Sequence, residues 1–354
     1  MNLIRLTILI LPLVFLLSCK KHTDTYTNTL YFPPNSSTQW DTMSSTEAGF
    51  NASKLQALKD YLAITNTKSF MIVKNGKIVV EEYYNSHTSS STWQWNSAGK
   101  TLVATITGIA QQDGFLNINN KVSDYLGNGW TSENLLKENL IKIKHLLTMT
   151  SGLNDANQLV IKSNLTYLAD AGTRWSYHNV FQKLIDVVAS ATSQNFENYF
   201  NNKLRDKIGM DGFWNFGTIF KIYHSNTRSM ARFGLLTLNK GKWNNEQIIN
   251  ENFLLESTTP SQSINPSYGY FWWLNGKSSY MLPNAQTVYN STLVPNAPID
   301  MIAAMGAEDQ RLYIIPSKNI VVVRMGDASD PSNPTFALSG FDNTFWSKLS
   351  AFIN

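Results

Sequence analysis

Cysteine is almost missing from this 354-residue chain: Cys19 is the only one, so no disulfide can form within it. The five histidines (22, 87, 145, 178 and 224) show no metal-ligand spacing, and no His-Glu-x-x-His occurs, so nothing points to a zinc site. No Gly-x-Ser-x-Gly elbow is present either, which removes the strand-to-helix nucleophile of one large hydrolase class. Charge is sparse, at 15% of residues with a net +4, and no Lys/Arg block suggests a nucleic-acid surface. There is no repeat of fixed period. What the chain does have is apolar bulk: 43% hydrophobic residues, with 10 Trp, 15 Tyr and 18 Phe. That is enough to bury a large core, and it suits a cleft better than a polyanion-binding face.

Residues 1–18 read as a secretory signal. Arg5 precedes an apolar run over 6–17 that is too short, and too interrupted by Pro12, to span a membrane well. The run ends Leu16-Leu17-Ser18-Cys19, which resembles the lipobox of bacterial lipoproteins. That resemblance implies a lipid on Cys19 as the first mature residue, hence an exported protein anchored in the cell envelope. Lys20 and Lys21, with no Asp after the cysteine, point to the outer membrane, on its periplasmic or surface face. Residues 19–39, rich in Thr, Asn, Ser and Pro, are expected to form a flexible tether to one folded domain over 40–354.

Within that domain, apolar spacing predicts a helix over 51–62, with Asn51 or Ser53 as its cap. Two strand-like runs, 69–73 and 77–84, flank Lys74-Asn75-Gly76, and Asn-Gly between such runs signals a hairpin. Helical patterns dominate from 106 to about 200, including 135–149, 180–191 and 196–204. Strands are expected over 301–304, 311–315 and 320–324, with a closing helix over 345–353. The expected class is therefore α+β, with one antiparallel sheet built from both chain ends (about 65–85 and 298–354) and a mostly helical lobe inserted over about 106–290.

Ser97-Ala98-Gly99-Lys100 opens an apolar helical tract. Three-residue spacing puts the hydroxyl and the amine on one helical face, about a turn apart. A lysine kept from ionising by burial can take the serine's proton, and a helix start offers free N–H groups to a developing oxyanion. Ser18 and Lys21 share the spacing but straddle the end of the leader. In Trp175-Ser176-Tyr177-His178-Asn179, an extended backbone would turn Tyr177 and Asn179 the same way, into one cleft. A phenol whose pKa is lowered by a nearby lysine can share proton transfer. Tyr26, Tyr83 and Tyr199 also begin Tyr-x-Asn, but only Tyr177 follows Ser97 in a Gly-x-x-Trp-x-Tyr-x-Asn setting.

In this order of segments the chain resembles the serine β-lactamase-like hydrolases, which include class C β-lactamases, DD-peptidases, carboxylesterases and 6-aminohexanoate-dimer hydrolases. The likeness spans about 40–353. It is carried by residues 73–79, 82–84, 97–100, 145–153, 175–179, 208–210, 229–236 and 268–273, the last two most like the 6-aminohexanoate-dimer hydrolase branch. The resemblance implies cleavage of an amide or ester in a small or peptide-like substrate, without metal or organic cofactor. Ser97 would be acylated, Lys100 would be its base, Tyr177 a proton relay, and Asn179 a holder of Lys100 or substrate. The family's third motif, Lys-Thr-Gly or His-x-Gly, is replaced by Gly306-Ala307-Glu308-Asp309. Gly306 and Ala307 stand where a strand N–H would complete the oxyanion hole. Glu308 and Asp309 would form a rim suited to a substrate amine, and a β-lactam carboxylate loses its cation. A cell-wall DD-peptidase or penicillin-binding enzyme, a β-lactamase and a catalytically silent binding protein stay open as alternatives.

Strand alternation directs His178 away from Tyr177 and Asn179, which argues against a Ser-His-Asp triad. His145, Arg232 and Asp155 read as structural. Trp272-Trp273 read as core, although the resemblance sets them beside the cleft.

Overall fold

The computed structural model describes residues 30–354. In chain order its principal elements are α1 (Leu55–Ile64), β1 (Thr67–Lys74), β2 (Lys77–Tyr83), β3 (Trp93–Gln94) and α2 (Lys100–Gln112). Next come α3 (Lys183–Thr192), β4 (Phe213–Phe216), β5 (Lys221–Ser225) and α4 (Thr227–Leu238). β6 (Trp273–Leu274), β7 (Ile302–Gly306), β8 (Gln310–Ile315), β9 (Ile320–Gly326) and α5 (Gly340–Ile353) complete the set.

Asn75 and Gly76 both take left-handed backbone (φ 51° and 84°), which closes the β1–β2 hairpin. β9, from the far end of the chain, pairs with β1, and the sheet runs β2-β1-β9-β8-β7-β6, antiparallel throughout. The expected assembly of one sheet from both chain ends is what forms, and the class is α+β. Both faces are covered. Gly234 of α4 lies against Leu312 and Val321, while Phe345 of α5 packs on Phe70 and Tyr313. Burial on two sides explains why β8 and β9 are buried along their whole length and show no apolar–polar alternation.

Several boundaries differ from expectation. A 3-10 turn, Ala52–Lys54, precedes α1, capped by Asn51 accepting from the Ser53 N–H at 3.2 Å. The single helix expected over 135–149 is two short ones, Leu135–Glu138 and Ile143–Leu147. They are parted because Glu138 turns inward to accept the N–H groups of Gly129 (2.6 Å) and Thr131 (2.7 Å). The inserted lobe is less helical than its pattern suggested. Its strands β4 and β5 form a second sheet with β3, and it lends β6 to the main sheet. The closing helix starts earlier, at Gly340, behind a Ser339–Asp342 capping box.

The leader and the first part of the expected tether, with Cys19, lie outside the described residues. Residues 30–39 run against the body. The Tyr31 N–H donates to the Asn75 carbonyl at 3.0 Å, Arg232 donates to the carbonyls of Pro33 and Pro34, and Asn35 bonds Lys207 and Trp243. A Cβ on Gly76 would meet the Tyr31 carbonyl at 1.8 Å, so only glycine admits this crossing. Among the described residues no helix is long and apolar enough to cross a membrane.

Candidate active site

Ser97 lies in a 3-10 turn, Asn96–Gly99, between β3 and α2. Trp95 anchors this turn. It is fully buried, its N–H donates to the Tyr223 carbonyl at 2.8 Å, and its indole N–H reaches Ser225 Oγ at 2.8 Å. Asn96 takes left-handed backbone (φ 49°), and its amide donates to the Ala307 carbonyl at 2.9 Å. The turn is thereby tied to the end of β7. Gly306 makes that approach possible, since an added Cβ would fall 2.4 Å from the Trp95 carbonyl oxygen and 3.1 Å from the Ser97 nitrogen.

One turn on, Lys100 Nζ lies 2.7 Å from Ser97 Oγ. Lys100 is buried at the head of α2, with the rings of Tyr177 and Phe181 at 4.6 and 4.5 Å from its nitrogen. Among the described residues no carboxylate offsets the loss of water, so burial alone lowers its pKa from 10.5 to about 7. Tyr177 is buried too, and burial pushes its pKa up, with the Ser97 hydroxyl and the Arg311 charge pulling only weakly the other way. The expectation of an acidified phenol is therefore corrected. Tyr177 is a neutral donor near neutral pH, and Lys100 is the group able to act as base there. The Tyr177 ring is held by Trp175, Tyr268 and Trp273, the last stacked at 6.1 Å.

Ser97, Lys100, Asn179 and Ala307 line one pocket of about 190 Å3. Tyr177 and Gly306 do not line it, but the Tyr177 ring lies beside Lys100 and Gly306 lies against the Ser97 turn. Asn179 does not bond Lys100; its amide donates to the Gln158 carbonyl at 3.1 Å, leaving it a pocket-wall residue. Sequence reasoning missed Gln94, Phe181, Trp214, Phe220 and Phe336, which also line the pocket. Phe181 was within reach, because it sits four residues past Tyr177, just beyond its motif. Gln94 was too, three residues before Ser97, whereas Trp214, Phe220 and Phe336 arrive from distant segments with no local signal.

Asp309 is not at a rim. It is buried and bonded to Arg311 at 2.9 Å, and Arg311 also makes a two-pronged pair with Asp342 (2.7 and 2.9 Å) and donates to the Gly306 carbonyl at 2.8 Å. Arg311 and Asp342 are wholly buried, so charge and strand geometry are fixed together under the pocket. Glu308 does line the pocket.

The remaining residues have structural partners. His178 Nε2 bonds the Asn157 carbonyl at 3.0 Å, and His145 Nδ1 accepts from the Lys142 N–H, capping a helix. Asp155 bonds Arg174 and Ser176. Arg232 binds main-chain carbonyls. Trp272 and Trp273 are core, and neither lines the pocket, although Trp273 reaches it indirectly through Tyr177. The Tyr199 hydroxyl is bonded to Asp113.

A family model described as Beta-lactamase matches residues 65–335. Among solved structures, a provisionally assigned 6-aminohexanoate-dimer hydrolase from Bacillus anthracis superposes with a TM-score of 0.66 at 16% identity, covering 91% of this chain and 88% of that one. A provisionally assigned beta-lactamase from Bacteroides dorei DSM 17855 gives 0.66 at 15% identity, covering 86% and 99%. A family VIII carboxylesterase gives 0.64 at 14% identity, covering 84% and 96%. At such identities the likeness is one of fold. No curated protein sequence matches the chain.

Proposed function

The chain belongs to the beta-lactamase family, and we propose that it is a serine hydrolase cleaving an amide or ester through an acyl-enzyme on Ser97. The observation that carries this reading is the 2.7 Å contact between Ser97 Oγ and a buried Lys100 that has no counter-ion among the described residues and a pKa near neutrality. In the proposed sequence, Ser97 Oγ attacks the carbonyl carbon as its proton passes to Lys100 Nζ. The N–H groups of Ser97 and Ala307 hold the oxyanion. The Tyr177 phenol hands a proton to the leaving group and is reprotonated from Lys100. Water then adds to the ester on Ser97, losing its proton to Lys100, and the acid departs as Ser97 recovers its hydrogen.

The substrates favoured are neutral at the carbonyl's flanks or cationic. Ala304–Gln310 contains no basic residue, and Arg311 behind it is buried and paired with Asp342, so this wall offers a β-lactam carboxylate no partner. Turnover of p-nitrophenyl butyrate tests the reading. Hydrolysis by the wild-type chain, lost in Ser97→Ala and in Lys100→Met, is the expected result; equal rates in all three sink it. The same reading has Cys19 lipidated and the domain held at the cell envelope, which incorporation of radiolabelled palmitate into wild type but not Cys19→Ala would support.

A further inference from the structure

Glu308 shares the pocket wall with Ser97, Lys100 and Ala307, so one small molecule can touch all four. Its Oε2 accepts from Gln94 Nε2 at 2.6 Å, while Oε1 has no protein partner among the described residues. Among the described residues no cation is paired with the Glu308 carboxylate: of the two lysines that line the same pocket, Lys100 bonds Ser97 and Lys221 sits 3.7 Å from Asp186, while Arg311 serves Asp342 and Asp309. Glu308 and Asp309 both take left-handed backbone (φ 60° and 56°), which side chains other than glycine adopt reluctantly. Arg324 Nη1 holds that conformation by donating to the carbonyls of Glu308 (2.8 Å) and Asp309 (3.1 Å). The carboxylate is thus fixed in position before anything binds. Beside it, Phe220 and Phe336 face the pocket while half exposed, making an apolar mouth. Glu308 is half-buried, so a ligand cation that pairs with it inside the pocket is screened less by water than at an open surface.

We propose that Glu308 is a specificity residue that selects substrates carrying an ammonium group on an apolar arm. The ammonium pairs with the free carboxylate oxygen, and the arm lies against Phe220 and Phe336. This deepens the serine-hydrolase reading and rests on it.

Two matched ester pairs test the proposal. The p-nitrophenyl esters of 6-aminohexanoate and hexanoate place the charge on the acyl side; 5-aminopentyl butyrate and pentyl butyrate place it on the leaving side. In one pair, wild type is expected to favour the ammonium ester in kcat/KM by about tenfold or more, and Glu308→Gln to bring that ratio close to one. Glu308→Lys is expected to reverse the preference toward the mono-p-nitrophenyl ester of adipate. Each ratio is taken on one preparation, so partial misfolding cancels. Ser97-dependent hydrolysis without ammonium preference in either pair, or a preference that survives Glu308→Gln, overturns the inference and leaves the hydrolase reading standing. No Ser97-dependent turnover of any of the esters overturns both.

Discussion

Gly306 backs directly onto the turn that carries Ser97: a Cβ placed on it would lie 3.1 Å from the Ser97 nitrogen and 2.4 Å from the Trp95 carbonyl oxygen. Both obstacles are main chain and cannot swing aside. The end of β7 and the Ser97 turn are therefore spaced by the absence of a side chain, which sets the distance between the two proposed oxyanion donors. Gly306→Ala is expected to lower kcat about 100-fold by displacing one donor, with a smaller effect on KM. Steady-state kinetics on an ester, with a melting curve to gauge folding, check it.

Lys100 should leave its mark on pH dependence. With a pKa lowered to about 7, it is protonated and idle below that value, so kcat/KM should rise through about pH 7 and level off above it. The burial of Tyr177 raises its pKa, so no falling limb from that phenol is expected near neutrality.

The same burial costs stability. In the folded state the Lys100 pKa lies below its unfolded value of 10.5, so between about pH 7 and 10.5 the unfolded chain binds more protons. This group's penalty is full below pH 7 and fades as pH rises to 10.5. Lys100→Met should abolish turnover, raise the melting temperature at pH 7 by ~2 °C or more, and flatten the pH dependence of stability above it. Calorimetry at pH 7 and 9 on both proteins measures this.

Tyr177→Phe keeps the ring that packs on Trp273 and Tyr268 and removes only the hydroxyl. Proton relay through that oxygen is expected to be worth about 100-fold in kcat, with the melting temperature nearly unchanged. A loss of folding without a specific loss of kcat would assign the phenol a packing role instead.

Arg311→Met would strand Asp342 and Asp309, both buried. Breaking such a pair from one side costs about 3 to 5 kcal/mol, which urea unfolding would register. The Gly306 carbonyl loses its donor in the same variant, so activity per folded molecule should fall as well.

Much of this was legible in the chain because its signals are local. Asn75-Gly76 marked a hairpin by the conformations only those residues accept easily, and the spacing of Ser97 and Lys100 at the head of an apolar tract put them on one helical face. Tyr177 needed the resemblance, since nothing local joins residue 177 to residue 97. The unreadable parts are those decided by distant partners. Asp309 looked like a surface acid until Arg311 and Ser339 were seen to bind it. The helix over 135–149 broke because Glu138 answers to N–H groups of a preceding loop. The β3-β5-β4 sheet joins segments more than a hundred residues apart, and the apolar mouth of the pocket is drawn from Phe220, which leads into β5, and from Phe336 near the far end of the chain.

The most direct measurement is peptide mapping after treatment with a fluorophosphonate probe. One covalent adduct on the Ser97 hydroxyl, absent from Ser97→Ala and appearing faster at pH 8 than at pH 6, is expected. An adduct on another residue that persists in Ser97→Ala, or none on a folded and ester-cleaving protein, would contradict a nucleophile at Ser97 activated by Lys100.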